Sequence, residues 1–189
     1  MNKEYYLEIA RKMITEDLSK YEGWEYNSNG ATKDVYVNKN DDWVIKTNIS
    51  ECPNDADIDY CRTEYENYLM IKGLGLESYF TPIIPIGFIM NEGERKGVYI
   101  QKKCATNEEA IVDSLALSLL EENDTLSPEE AEDEVCMLEI NEILNFLYPD
   151  DKEIYKIINF CWDHDINDLH EGNFGYLDDK LVILDYSGY

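Results

Sequence analysis

Asp168, Asn173 and Asp185 are of the residue types, and stand at the spacing, that phosphoryl-transfer chemistry requires. One carboxylate can orient an attacking hydroxyl and take its proton, while an amide and a second carboxylate hold the magnesium that bridges nucleotide phosphates. The flanking residues predict how the three are positioned. A loop carries Asp168 and Asn173. Two short strands follow, Asn173 to Leu177 and Leu181 to Asp185, joined across Asp178-Asp179-Lys180, a polar tip of hairpin length. Asp185 ends the second strand.

The loop Asp168-Leu-His-Glu-Gly-Asn173 resembles the catalytic loop of the protein-kinase-like superfamily, which reads Asp-Leu-Lys-x-x-Asn in protein kinases and Asp-Leu-His-x-Gly-Asn in aminoglycoside and choline kinases. Asp185-Tyr-Ser-Gly is similar to the Asp-Phe-Gly that follows a dozen or so residues later. The resemblance implies Asp168 as catalytic base and Asn173 and Asp185 as magnesium ligands. It also places His170 against the transferred phosphate or its acceptor, where a positive or donor group helps neutralise charge. A structural role for His170, bonding the loop backbone, stands equally open. The sequence departs from the pattern at Ile166, where His or Tyr is usual. It also ends four residues after Asp185, before an activation segment and peptide-docking helices, so the acceptor is undetermined. Short kinase-like proteins encoded by some phages are similar, with the same His-x-Gly-Asn loop.

Upstream elements can supply the nucleotide clamp. Trp24 to Val37 reads as two alternating stretches around Asn29-Gly30, the strongest short hairpin signal in the chain. The resemblance makes this turn the glycine-rich loop, with Gly30 at its second glycine and Val35 at the valine that roofs the adenine; Lys33 replaces the third glycine. Trp43-Val-Ile-Lys46 follows a second turn as a buried strand, similar to the Val-Ala-Ile-Lys strand of kinases. Val44 and Lys46 are thereby implied at the nucleotide, with Lys46 on its inner phosphates. A lysine ending an apolar strand more commonly snorkels to the surface. The helix predicted over 55–73, closed by Gly73, offers Glu64 and Glu66 as partners for Lys46. Glu64 is favoured because Tyr68 would stack below it on the inward face. Strands are expected over Phe80 to Met90 and Gly97 to Gln101, separated by the polar turn 91–96. Prolines 82 and 85 imply an edge or a bend. Gln101 to Cys104 would form the hinge whose backbone recognises adenine.

Before these strands, residues 2 to 20 predict an amphipathic helix with Tyr5, Ile9 and Met13 on one side, ended by Glu22-Gly23. After them the chain turns helical. A striped helix is expected over 107–122. A second starts at the capping box Ser127-Pro-Glu-Glu130 and runs through Leu138 and Leu147 to Pro149. A third spans Asp151 to Asp163 and delivers the chain into the Asp168 loop. The expected fold class is α+β, a minimal bilobal protein-kinase-like fold. It has an amino-terminal helix (1–22), a small lobe of five antiparallel strands and one helix (23–103), and a reduced, mostly helical large lobe with a terminal β-hairpin (104–189).

Composition bounds the partners. The chain has 189 residues, is 44% hydrophobic and carries a net charge of -25, and from Cys104 to Asp151 it contains no Lys, Arg or His. Such a surface disfavours nucleic acid and acidic membranes and favours a basic protein partner, though a solvated face is the simpler account. The amino terminus lacks a signal peptide's apolar core, and no run reaches membrane-span length, which implies a cytoplasmic protein, in the host cytoplasm if phage-encoded. Cys52, Cys61, Cys104, Cys136 and Cys161 are widely spaced without a Cys-x-x-Cys pair and read as reduced thiols. A large lobe this short would leave apolar helix surface for a homodimer or a protein partner. Three readings follow: an ATP- and Mg2+-dependent phosphotransferase acting on a protein hydroxyl, a catalytically idle kinase-like binding or inhibitory module, and an acidic decoy of DNA.

Overall fold

The computed structural model describes residues 2–27, 32–49 and 58–188, and the turn around Gly30 lies outside them. The chain divides into two compact units. The first comprises residues 1–72 and 81–103, the second 73–80 and 104–189. The fold class is α+β.

The first unit opens with α1 (Lys3–Thr15), capped by the Asn2 side chain, which accepts from the Tyr5 amide. Tyr6, Ile9, Ala10 and Met13 recur at the helical period and are buried together. The helix ends earlier than the expected residue 20. Asp17 adopts φ 49°, and the Leu18 amide closes back onto the Met13 carbonyl at 2.8 Å. The residues so released form β1 (Lys20–Tyr21), which pairs with β2 (Trp24–Asn27) across Glu22-Gly23. Both turn residues have positive φ, 47° and 83°, as a two-residue hairpin turn requires. The sequence signal taken as a helix stop is therefore a strand turn.

Next come β3 (Lys33–Asn38), β4 (Trp43–Asn48), α2 (Tyr60–Gly73), β5 (Ile83–Asn91) and β6 (Glu94–Lys102). The expected five-stranded sheet is six-stranded, in the order β1-β2-β3-β4-β6-β5 with antiparallel neighbours. β6, rather than β5, lies beside β4. β5 takes the edge, and its register shifts between Pro85 and Gly87, where a proline without an amide hydrogen can be tolerated. The polar turn expected over 91–96 contracts to Glu92-Gly93, again both at positive φ.

Strand alternation gives this sheet two different faces. Tyr36, Ile45, Ile89, Val98 and Ile100 point to one side and pack with Trp24 and the buried stripe of α1 into a continuous core. The opposite face carries Lys33, Val35, Val44, Lys46, Tyr99 and Gln101, because the register pairs Val35 with Lys46, Lys46 with Tyr99 and Val44 with Gln101.

In the second unit, a 3-10 turn (Glu77–Tyr79) precedes α3 (Glu108–Glu122), α4 (Pro128–Val135), α5 (Ile140–Leu147) and α6 (Ile154–Asp163). The single helix expected from Ser127 to Pro149 is two helices. α4 has the expected capping box, but at Glu139 the chain leaves helical conformation (φ -79°, ψ 160°) and a second capping box, Glu139 with Glu142, starts α5. A 3-10 turn (Glu171–Asn173) then leads into β7 (Phe174–Leu177) and β8 (Lys180–Ile183). Their two-residue turn is Asp178-Asp179, at φ 51° and 62°. Aspartate tolerates this left-handed region better than most residues. Phe80, Phe160, Phe174, Ile183 and Tyr186 anchor the core beneath the hairpin, with the Phe80 ring edge-on to Tyr186 at 5.2 Å. Among the described residues no helix is long and apolar enough to cross a membrane.

Candidate active site

In the first unit, the polar sheet face and α2 are joined by a buried charge cluster. Lys46 does not snorkel. Its Nζ donates to Glu64 at 3.0 Å (Oε1) and 3.2 Å (Oε2), with the lysine 6% and the glutamate 0% exposed. Glu64 reaches the sheet because it lies on the α2 stripe Tyr60, Cys61, Glu64, Asn67 and Ile71, the buried side of that helix. Glu66, two residues on, faces outward and pairs with Arg62 at 2.8 Å across one turn. The geometry thus distinguishes the two glutamates.

Two more groups share the carboxylate. Gln101 Nε2 donates to Glu64 Oε1 at 2.6 Å, and Lys33 Nζ lies 3.1 Å from Oε2. Gln101 sits within β6, and its side chain is engaged with Glu64. By sequence, Lys33 marks only the absence of the resembled loop's third glycine. The period-2 signal was available, since Lys33 and Val35 must share a strand face. A carboxylate removed from water is stable only when its oxygens are saturated with donors, and these three side chains supply them. The Cys61 thiol lies in the same electrostatic environment, and burial pushes its pKa up, so it is held as a neutral thiol. Val35 and Val44 are half-buried on this face.

In the second unit, α6 ends at His164, and the Ile166 amide returns to the Cys161 carbonyl at 2.9 Å. Ile166 and Leu169 are buried, which leaves Asp168 and His170 exposed between and beyond these anchors. Asn173 fastens the loop: its Nδ2 donates to the Asp168 carbonyl, and its own amide donates to the His170 carbonyl at 2.9 Å. The Leu184 amide donates to the Asn173 carbonyl at 2.8 Å, so Asn173 and Asp185 emerge at the same open end of the hairpin. Asp185 Oδ1 accepts from the Ser187 amide at 3.3 Å and its hydroxyl at 3.1 Å, which orients the carboxylate. His170 Nδ1 accepts from the Gly172 amide at 3.1 Å, a tautomer that puts the proton on Nε2. A Cβ on Gly172 would come within 2.8 Å of His170 Cε1, so glycine is required for the ring to sit there.

An amide oxygen and a carboxylate suit a hard cation such as magnesium, which takes few protein ligands and completes its shell with phosphate and water. Among the described residues no group of three or more His, Cys, Asp or Glu side chains is placed to hold a metal ion.

No protein-family model matches the sequence, and no curated protein matches it. Solved structures do. The chain is similar to the PknI kinase domain of Mycobacterium tuberculosis at 9% identity and a TM-score of 0.38, over 89% of this chain and 60% of that one. It is also similar to APH(2")-IIia in its GDP and kanamycin complex, at 14% identity and a TM-score of 0.39, over 96% of this chain and 72% of that one. The chain therefore spans less than two thirds of the length of the PknI domain.

Proposed function

We propose that the chain is an ATP- and Mg2+-dependent phosphotransferase that places a phosphoryl group on a hydroxyl, in the manner of a small phage-type protein kinase. The observation that carries this reading is the buried Lys46–Glu64 pair at the end of a valine-lined strand face. Burying an ion pair carries a desolvation cost that its own attraction offsets only with good geometry and further hydrogen bonds, and a lysine held rigid by a helix glutamate is suited to gripping phosphate oxygens. Lys46 binds the inner phosphates and Glu64 orients it. Val35 and Val44 offer the base an apolar surface, and Gln101 leads to the segment that meets the adenine edge. Gly30 is assigned to the phosphate lid from sequence alone. Asn173 and Asp185 would hold magnesium, which would supply positive charge to offset that of the phosphates. Asp168 accepts the acceptor's proton as its oxygen bonds to the γ-phosphorus and the bond to ADP breaks, and His170 Nε2–H donates to the transferred group. A protein hydroxyl on a basic surface is the acceptor class that the charge of -25 favours.

Magnesium-ATP should raise the melting temperature of the wild type, by linkage equivalent to about 2.7 kcal/mol at a hundred times Kd. That shift should be lost in Lys46→Ala and weakened in Asp185→Asn. Radiolabelled phosphate should pass from the γ position to a basic protein and fail to do so with Asp168→Ala. A wild type whose melting is indifferent to magnesium-ATP would remove the reading.

A further inference from the structure

The sheet face that packs on α1 carries a polar grouping of its own, on the opposite side of the sheet from Lys46 and Glu64. Tyr26 and Tyr36 are directly paired across β2 and β3, with ring centroids 5.5 Å apart and planes tilted by 45°. Asp34 precedes Tyr36 by two residues and so shares its face, and its Oδ1 accepts from the Tyr26 hydroxyl at 2.8 Å. The end of α1 closes the other side. There the Tyr26 amide donates to the Ser19 carbonyl at 3.0 Å, and Asp17, at φ 49°, turns the chain. Met13, Leu18, the two tyrosines and the two aspartates line a cleft of about 410 Å³, the size of a small-molecule site.

Polar groups face this cleft without partners. Tyr36 is 5% exposed, yet its hydroxyl makes no hydrogen bond among the described residues. No fully buried side-chain oxygen or nitrogen among those residues lacks a partner, so the hydroxyl is the part of Tyr36 that reaches the cleft. A phenylalanine ring would serve the core equally, and the hydroxyl adds a polar contact only inside the cleft. Asp34 Oδ2 accepts nothing among the described residues, and neither aspartate is in an ion pair there. Lys96, half-buried on the same wall, is not in one either. Burial first, and then Asp34, Tyr26 and Asp17, push the Tyr36 phenol above its ordinary pKa, so the negative field is felt at the hydroxyl.

We propose that this cleft binds a small primary ammonium ion. Its charge meets two carboxylates against one lysine, and its N–H groups donate to Asp34 Oδ2 and to the Tyr36 oxygen. The tyrosine faces attract the cation, and its carbon chain lies toward Met13 and Leu18. An anion would be repelled by the carboxylates, and a neutral molecule would leave them unpaired. The inference stands apart from the nucleotide reading, whose lysine and glutamate lie on the other face of the sheet.

The test is titration of n-butylammonium chloride into the full chain, followed through the ring resonances of Tyr26 and Tyr36, with n-butanol as the uncharged match. The amine should shift both rings saturably, and n-butanol should bind about tenfold more weakly, for want of the charge-assisted bonds. Asp34→Asn keeps the shape and the acceptor for Tyr26 but removes the charge, and Tyr36→Phe keeps the core ring. Each should weaken the amine about tenfold, the loss of one hydrogen bond to a charged group. Lys96→Met should strengthen it about twofold, because a like charge is removed. Should Asp34→Asn fail to fold, Tyr36→Phe and Lys96→Met decide the question through their opposite signs. Purely structural roles would change melting temperatures and leave the amine affinity of Asp34→Asn and Tyr36→Phe at the wild-type value, which overturns the site. An amine that binds no better than n-butanol, a wild type without saturable shifts, or weaker binding in Lys96→Met overturns it equally.

Discussion

Glu64 is the residue on which most of the polar chemistry of the first unit converges, and its charge is what makes the surrounding burial tolerable. Glu64→Gln keeps the shape but leaves Lys33 and Lys46 facing an amide instead of a carboxylate. Breaking a buried pair from one side costs about 3–5 kcal/mol, and urea unfolding of this variant should show a loss of that order with an unchanged slope. Glu66→Gln, whose partner Arg62 is exposed, should fall within about 0.5 kcal/mol of wild type. At the loop, Gly172→Ala should push the His170 ring off its Nδ1 contact, because the added carbon would meet Cε1 at 2.8 Å. Nitrogen chemical shifts of the imidazole should then report a mixed tautomer where the wild type shows one. The lysine–glutamate pairing was expected because Trp43-Val-Ile-Lys46 resembles a kinase strand whose lysine is steadied by a helix glutamate, with Glu64 favoured over Glu66 for the inward face of the helix. The third and fourth members of the cluster were not, because Lys33 and Gln101 come to Glu64 through strand register, a property of the assembled sheet.

Elements were legible wherever a periodic stripe coincided with an ordinary cap, as in α3 and α4, and misread wherever a boundary depended on an unusual residue. The break between α4 and α5 is the instructive case. Glutamate is a poor helix starter by type, so Glu139 gave no stop signal, yet its amide donates to Glu142 at 2.9 Å and the pair restarts the helix. Glu142→Ala should therefore destabilise the second unit by about 1 kcal/mol, with the loss of amide protection confined to residues 139–143 in hydrogen exchange. Asp151 and Tyr79 provide a pH test at the same scale. The Glu153 amide and the Tyr79 hydroxyl, 2.7 Å away, hold the Asp151 carboxyl below its ordinary value. A depressed carboxylate contributes stability that is present above its unfolded pKa and lost as pH falls through the lower folded one. The Tyr79 hydroxyl is pushed up to about 12, chiefly by burial and then by this same bond, so its contribution is complete below pH 10 and disappears as pH rises toward 12. Tyr79→Phe should flatten both limbs of the stability profile, below about pH 4 and above about pH 10. A profile unchanged on both sides would show that the bond does not persist in solution.

On the scale of the whole chain, charge is distributed as unevenly as structure. The ion pairs found among the described residues fall mostly in the first unit, where Lys12, Lys20, Lys33, Lys46, Arg62 and Lys102 each meet a carboxylate; the second unit contributes Lys156 with Glu153. α3, α4 and α5 carry carboxylates without one Lys, Arg or His between Cys104 and Asp151. Their mutual repulsion opposes the compact state and is screened by salt. Between about 0.01 M and about 1 M sodium chloride the Debye length falls from roughly 30 Å to roughly 3 Å, so stability should rise over that range, and the gain in exchange protection should concentrate in α3 to α5. α3 sharpens the expectation, because Glu121 and Glu122 sit in its last turn, where the helix dipole is negative and no basic residue offsets it. Glu122→Lys reverses both the dipole conflict and one unit of repulsion, and should stabilise the chain by about 0.5 kcal/mol at low salt, with the gain fading as salt is added. If instead the wild type loses stability as salt rises and α3 to α5 gain no exchange protection, the attractive pairs of the first unit dominate and the acidic helices are not under electrostatic strain. That result would also remove the physical reason for expecting them to seek a basic partner.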